Sequence, residues 1–192
     1  KEHNKIKLGI SLCHYERYVG GDLERERKRE AAIEFFLDQV VETNKNISEI
    51  VFFIFNGNKS IGDEEITNYF YNKYKEKIKA SIVEYTSYTE KFCQELKSCD
   101  MVFGMRLHSG ILAYALGIPF ILVEYHKKCT DFLDTINYNN RFDISNLKHN
   151  IQLFNNMVDS IINNQVIYGT ERMIEPEYFR KIIKNELAKI KI

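Results

Sequence analysis

Apolar residues fall along this chain in two alternating rhythms. Continuous runs occupy residues 6–12 (IKLGISL), 50–55, 101–105 and 120–123, and an apolar run without alternation reads as a strand covered on both faces. Between the runs, apolar residues recur at helical spacing. Residues 23–42 open on the charge run LERERKRE, which reads as a solvated face with intrahelical pairs, and then carry Ala31, Ile33, Phe36, Leu37 and Val40; residues 63–78 carry Ile66, Tyr69, Phe70 and Tyr74, all read as core contacts. Residues 89–99 carry Phe92 and Leu96 behind Thr89 as a candidate cap, and residues 151–162 carry Ile151, Phe154, Val158 and Ile161. A third short strand is expected at 81–84, a short helix at 129–136 and a sixth, edge strand at 141–144. Asn56-Gly57-Asn58 closes the second strand, residues 163–170 read as a polar linker, and Pro176 opens a last helix over 176–192. Strands alternate with helices throughout, which predicts an α/β Rossmann-like three-layer sandwich with a mostly parallel sheet.

One strand-helix-strand unit concentrates the chemistry. The run 101–105 passes directly into a helix over 106–116, Gly117 stops that helix, and Pro119 starts the next strand. Arg106, His108 and Ser109 therefore sit where a strand becomes a helix. In a parallel sheet this point joins the carboxyl end of a strand to the unpaired N–H groups of a first helical turn, a place that attracts anions. Arg106 adds a charged fork shaped for carboxylate or phosphate, and His108 adds a group that exchanges a proton near neutral pH. Glu124, Tyr125, His126, Lys127 and Lys128 follow the next strand and converge on the same crevice, as do His14, Tyr15 and Arg17 in the polar connection 13–22.

The order D-x-V-x-G-x-R-L-H, a small-residue helix, G-I-P-F and Y-x-x-K, carried by Asp100, Val102, Gly104, Arg106, Leu107, His108, Gly117, Pro119, Tyr125 and Lys128, resembles the signature region of the polysaccharide pyruvyl transferases. That resemblance implies an enzyme moving the pyruvyl group of phosphoenolpyruvate onto two hydroxyls of a sugar, as a cyclic ketal, with release of phosphate. It also implies a single Rossmann-like domain over 1–192, similar to the C-terminal half of a two-domain GT-B enzyme, whose N-terminal partner domain is missing. His108 is then the expected general acid, with phosphate hydrogen bonding or a core position as its rival roles. Arg106 is the expected donor ligand, against a structural pairing with Asp100. Leu107 and Ser109 would contribute backbone N–H groups, Lys128 would neutralise phosphate, and Tyr125 would pack over the donor. The family often carries an arginine after the first strand; Cys13 stands there, with Arg17 the candidate substitute. The acceptor would be a surface glycan or its lipid-linked precursor, the carrier being the route to peripheral membrane association.

Composition narrows the field. Lys plus Arg and Asp plus Glu are 27 each, so no net field draws the chain to nucleic acid. The four cysteines, Cys13, Cys93, Cys99 and Cys129, show no metal-ligand spacing. Reduced thiols, a cytoplasmic location, no metal and no cofactor beyond the donor substrate are the expectation. The chain opens at Lys1 without an initiator methionine and is roughly half the length of two ordinary domains, so it reads as a piece of a longer enzyme. Two other readings stand beside the first: a GT-B glycosyltransferase using a nucleotide-sugar, which would want a ribose-binding carboxylate in the helix 106–116 where none occurs, and a non-catalytic α/β binding domain.

Overall fold

The structure, a computed structural model, describes residues 5–165, so the expected helix over 176–192 lies outside the described residues. Six strands, β1 (Ile6–Ser11), β2 (Ile47–Phe53), β3 (Lys79–Val83), β4 (Met101–Gly104), β5 (Phe120–Val123) and β6 (Arg141–Phe142), form one sheet in the order β3-β2-β1-β4-β5-β6. Every neighbouring pair is parallel, so the sheet expected to be mostly parallel is wholly so among the described residues. The helices are α1 (Glu16–Val19), α2 (Leu23–Thr43), α3 (Glu64–Tyr74), α4 (Thr89–Lys97), α5 (Leu107–Leu116), α6 (Lys127–Thr135) and α7 (Leu147–Ile162).

The strand order locates the ligand crevice. From β1 the chain steps through α2 to β2 and on to β3, whereas from β4 it steps the opposite way to β5 and β6. Right-handed crossovers then place α2 and α3 over one face and α5 and α6 over the other. Between β1 and β4 the two progressions part, which leaves a crevice outside the carboxyl ends of those strands.

The apolar runs behave as their pattern requires. All of β4 and β5 is buried, as is all of β1 except the half-buried Lys7. The α2 face of Ile33, Phe36, Leu37 and Val40 is buried, and the Phe36 ring meets Phe103 of β4 at 5.1 Å, Phe142 of β6 at 5.2 Å and Phe154 of α7 at 5.7 Å. Burying each such ring stabilises the fold by about 1.5–3 kcal/mol. Gly117 ends α5 in the left-handed region (φ 69), its N–H bonded to Ala113 and Tyr114 carbonyls.

Several boundaries differ from those expected. β2 starts at Ile47 because the backbone of Ile47 already pairs with Ile6 and that of Glu49 with Lys7, the exposed Ser48 between them standing in a register shift, and β3, at the sheet edge, starts at Lys79. α3 stops at Tyr74, with Ile78 already in the turn that its N–H closes onto the Tyr74 carbonyl. Tyr69 is 54% exposed, not a core contact like Ile66, Phe70 and Tyr74. Thr89 is the first residue of α4, with Tyr88 in the cap position and no side-chain cap bond. α7 begins at Leu147, earlier than its apolar pattern, because Asn146 accepts the His149 N–H.

Gly104 holds the exit of β4 against α5. A Cβ there would collide with the Ser109 hydroxyl and stand 3.0 Å from the Ser109 Cβ. Gly104→Ala should cost about 1–3 kcal/mol in urea unfolding through overpacking. Adding Ser109→Ala should recover part of the loss; no recovery would mean that the collision does not set the packing.

Candidate functional site at the β1–β4 crevice

The junction after β4 is built by short-range geometry. Met105 donates its N–H to the Ser11 carbonyl at 2.7 Å, tying the ends of β4 and β1 together. Arg106 remains extended (φ −63, ψ 128) in the N-cap position, so its side chain leaves before the helix turns. Ser109 is buried; its hydroxyl donates to the Arg106 carbonyl at 2.5 Å and its N–H to the same oxygen at 2.9 Å. The expected Ser109 N–H contribution to an anion is therefore already committed to the turn. Leu107 and His108 hold the first two N–H groups of α5, which no helical carbonyl can reach.

Asp63 fixes Arg106. The guanidinium Nε donates to both carboxylate oxygens, at 2.9 and 3.1 Å, and Nη2 donates to Oδ1, leaving Nη1 without a partner among the described residues. Asp63 is fully buried and also accepts the Asn56 N–H at 3.0 Å. It occupies the N-cap position of α3 but makes no cap bond, because its oxygens point to the crevice instead. Burial pushes its carboxyl pKa up against the opposing pull of Arg106. The structural alternative of pairing with Asp100 does not occur: Asp100 accepts the Lys7 N–H at 2.9 Å beside the far end of β1.

Of the other expected site residues, Tyr125 stands near this pair and Lys128 beside Tyr125. Tyr125 is buried at the end of β5, its hydroxyl in weak contact with the Cys13 thiol and without a well-directed hydrogen bond. Burial pushes the Cys13 thiol to about 12, too high for a nucleophilic thiolate. Lys128 is exposed, with Nζ 5.9 Å from the Tyr125 ring centre, and Arg29 lies over the same ring at 5.6 Å. Tyr15 packs edge-on against Tyr125 and His126, at 5.1 and 5.4 Å. His108 is exposed and its imidazole makes no hydrogen bond or ion pair among the described residues.

Arg17 is not brought to Arg106. It joins a carboxylate cluster, bonding Glu26 at 2.6 Å and approaching Glu65 at 3.5 Å and Glu30 at 3.7 Å. The first turns of α2 were expected to form a solvated charged face, yet Glu26 and Arg29 are 1% and 2% exposed. The fold buries them because Glu26 accepts the Tyr15 and Arg17 N–H groups of the loop after β1, at 2.7 and 3.3 Å. Burial alone would raise the Glu26 carboxyl, but these donors and the Arg17 side chain hold it below its ordinary range. Glu124 pairs with Arg141 at 2.9 Å. Among the described residues, His14, Glu26 and Glu30 bring ligand atoms within 4.8 Å of one another, although both oxygens of Glu26 already accept from Arg17 and Tyr15.

The family model for polysaccharide pyruvyl transferase matches residues 14–127, more than half of the chain. The chain belongs to this family. The match includes the Arg106–Leu107–His108 junction, Tyr125 and Arg17, and ends one residue before Lys128. No curated protein matches the sequence. Two solved structures share the fold: the UDP-GlcNAc 2-epimerase of Methanocaldococcus jannaschii (TM-score 0.58, 14% identity, covering 96% of this chain and 46% of that one) and a protein described as a UDP-N-acetylglucosamine 2-epimerase from Listeria monocytogenes (TM-score 0.53, 13% identity, 98% and 47%). The chain thus spans about half the length of these neighbours, and its α/β fold is GT-B-like. No helix among the described residues is long and apolar enough to cross a membrane.

Arg106→Ala would leave the Asp63 carboxylate buried without its countercharge, at a cost on the order of 2–4 kcal/mol near neutral pH. A carboxyl whose folded pKa lies above its unfolded value binds its proton more tightly in the folded state, so stability is lost as pH rises through that window. The deficit of the variant in urea unfolding should therefore shrink as pH is lowered from about 7 to about 5. A deficit independent of pH would show that Asp63 does not carry it.

Proposed function

We propose that the protein transfers the pyruvyl group of phosphoenolpyruvate to two hydroxyls of a sugar in a surface polysaccharide or its precursor, forming a pyruvate ketal. Membership of a transferase family supports the class of reaction. The observation that carries the donor assignment is the juxtaposition, at the β1–β4 crevice, of the anchored Arg106 fork, two open N–H groups and the exposed His108.

In this reading one anionic group of the donor meets Arg106 Nη1 and the Leu107 and His108 N–H groups. Lys128 faces the other anionic group across Tyr125. His108 donates a proton to the methylene carbon, which becomes the methyl group, and C2 accepts the oxygen of the first sugar hydroxyl. Phosphate then leaves C2 as the second hydroxyl oxygen bonds there. Of the two hydroxyl protons released, one restores His108 and the other leaves with phosphate. No helix carboxylate in α5 is placed to bind a ribose, which favours this donor over a nucleotide-sugar. The cytoplasm, where phosphoenolpyruvate is made, is the compartment this chemistry requires.

Calorimetric titration with phosphoenolpyruvate tests the donor site. Arg106→Lys keeps the charge but loses the fork, and should weaken binding about tenfold or more, the equivalent of a charged hydrogen bond. His108→Ala removes an exposed side chain with no hydrogen-bond or ion-pair partner among the described residues, so the fold should be unaffected while its share of donor affinity is lost. Binding unchanged in both variants, or thermal protection by a uridine diphosphate sugar with none from phosphoenolpyruvate, would overturn the assignment.

A further inference from the structure

We propose that the cleft between α2 and α3, beside the end of β1, binds a neutral polyhydroxylated ligand of the sugar class through a hydrogen bond between a ligand hydroxyl and His14 Nε2. The side chain of His14 is 7% exposed, and its Nδ1 lies 2.5 Å from Glu30 Oε1. With Nδ1–H given to the carboxylate, Nε2 is left to exchange a hydrogen bond with a hydroxyl, which can serve as donor or acceptor. Nε2 is buried and has no hydrogen-bond partner among the described residues; Glu65 Oε1 stands 4.0 Å away across the cleft, beyond hydrogen-bond reach. An oriented, buried polar atom that the fold leaves unused is costly to keep, which points to a hydrogen-bonding group arriving from outside.

The surroundings select the ligand's class. The cleft has a volume of about 320 Å³ and is lined by His14, Arg17, Glu30, Glu34, Glu65 and Tyr69 among others, close to the lower limit of about 300 Å³ for small-molecule sites. Around it, the carboxylates of Glu16, Glu26, Glu30 and Glu65 outnumber the guanidiniums of Arg17 and Arg29 with which they pair. That excess repels phosphoenolpyruvate and welcomes hydroxyl donors. A metal cation fits less well, since Glu26 already accepts three N–H groups and Glu30 is held by His14. Tyr69, 54% exposed, donates its hydroxyl to Glu34 at 2.9 Å and keeps a ring at the rim, the usual platform for the apolar face of a sugar. The donor and hydroxyl sites are thus separated by charge. Reading the ligand as the acceptor rests on the proposed function; the cleft's chemistry does not.

The test is a titration of the ¹⁵N-histidine-labelled protein with neutral methyl glycosides of several hexoses, followed by the imidazole resonances. A saturable shift of His14 is expected, with no shift from inorganic phosphate or phosphoenolpyruvate. His14→Gln and Glu30→Gln should each weaken glycoside binding about tenfold, as loss of one buried hydrogen bond implies, whereas Arg106→Lys should leave it unchanged. Glycosides that never move His14 would overturn the proposal, a readout that needs no variant to fold. So would broadening of His14 by Mn²⁺ at concentrations where glycosides have no effect, or glycoside affinity in both variants equal to that of the parent. Failure of the phosphoenolpyruvate titration alone would fall on the donor site and leave the cleft standing.

Discussion

The bidentate pairing of Arg106 with buried Asp63 is the constraint on which the crevice depends. A guanidinium at a strand terminus has too many rotamers to recognise a small anion well, because ordering it costs entropy that binding must offset. Asp63 removes that freedom before any ligand arrives, while Asn56 holds the carboxylate itself in place. The pairing also spans the sheet: Arg106 precedes α5 on one face and Asp63 precedes α3 on the other. One ion pair thus joins the two halves of the doubly wound fold where their strand orders diverge.

The same rim carries a second buried electrostatic system with the opposite balance. The loop after β1 folds onto α2 because Glu26 collects its N–H groups, and Arg17 and Arg29 then enter the cluster as countercharges. Cys13 and Tyr125 stand beside both Arg106 and Arg29 of the cluster, and both are protonated at neutral pH, the more so because burial raises their pKa values. Two oppositely biased regions can coexist on one edge because the groups beside both are neutral. This division suits a reaction whose donor is an anion and whose other reactant is a neutral polyol.

The alternation of strands and helices was legible in the sequence because the sheet is buried on both faces, so β1, β4 and β5 show as unbroken apolar runs. Arg106, Leu107 and His108 were legible because their placement follows from chain order alone, one strand passing directly into one helix. Asp63 was missed, since it looked like an ordinary helix-opening aspartate and its partner lies 43 positions away. Its sequence signal was weak: the turn from Asn56 to Gly62 that precedes it. Glu26 and Arg29 were misread as a solvated face because charge alternation on α2 says nothing about a loop that folds over it. Arg17 was sent to the wrong neighbour for the same reason, and Ser109 was credited with an N–H that the tight turn after Arg106 already uses.

In the proposed reading this crevice, and specifically the Arg106–Leu107–His108 junction, holds the anionic donor. A crystal structure of the protein with phosphoenolpyruvate tests it most directly. The expected result is an anionic group of the ligand on Arg106 Nη1 and the first N–H groups of α5, with the methylene carbon facing His108. Ligand seated elsewhere, with the Arg106–Asp63 pair unvisited and His108 turned to solvent, would contradict the account.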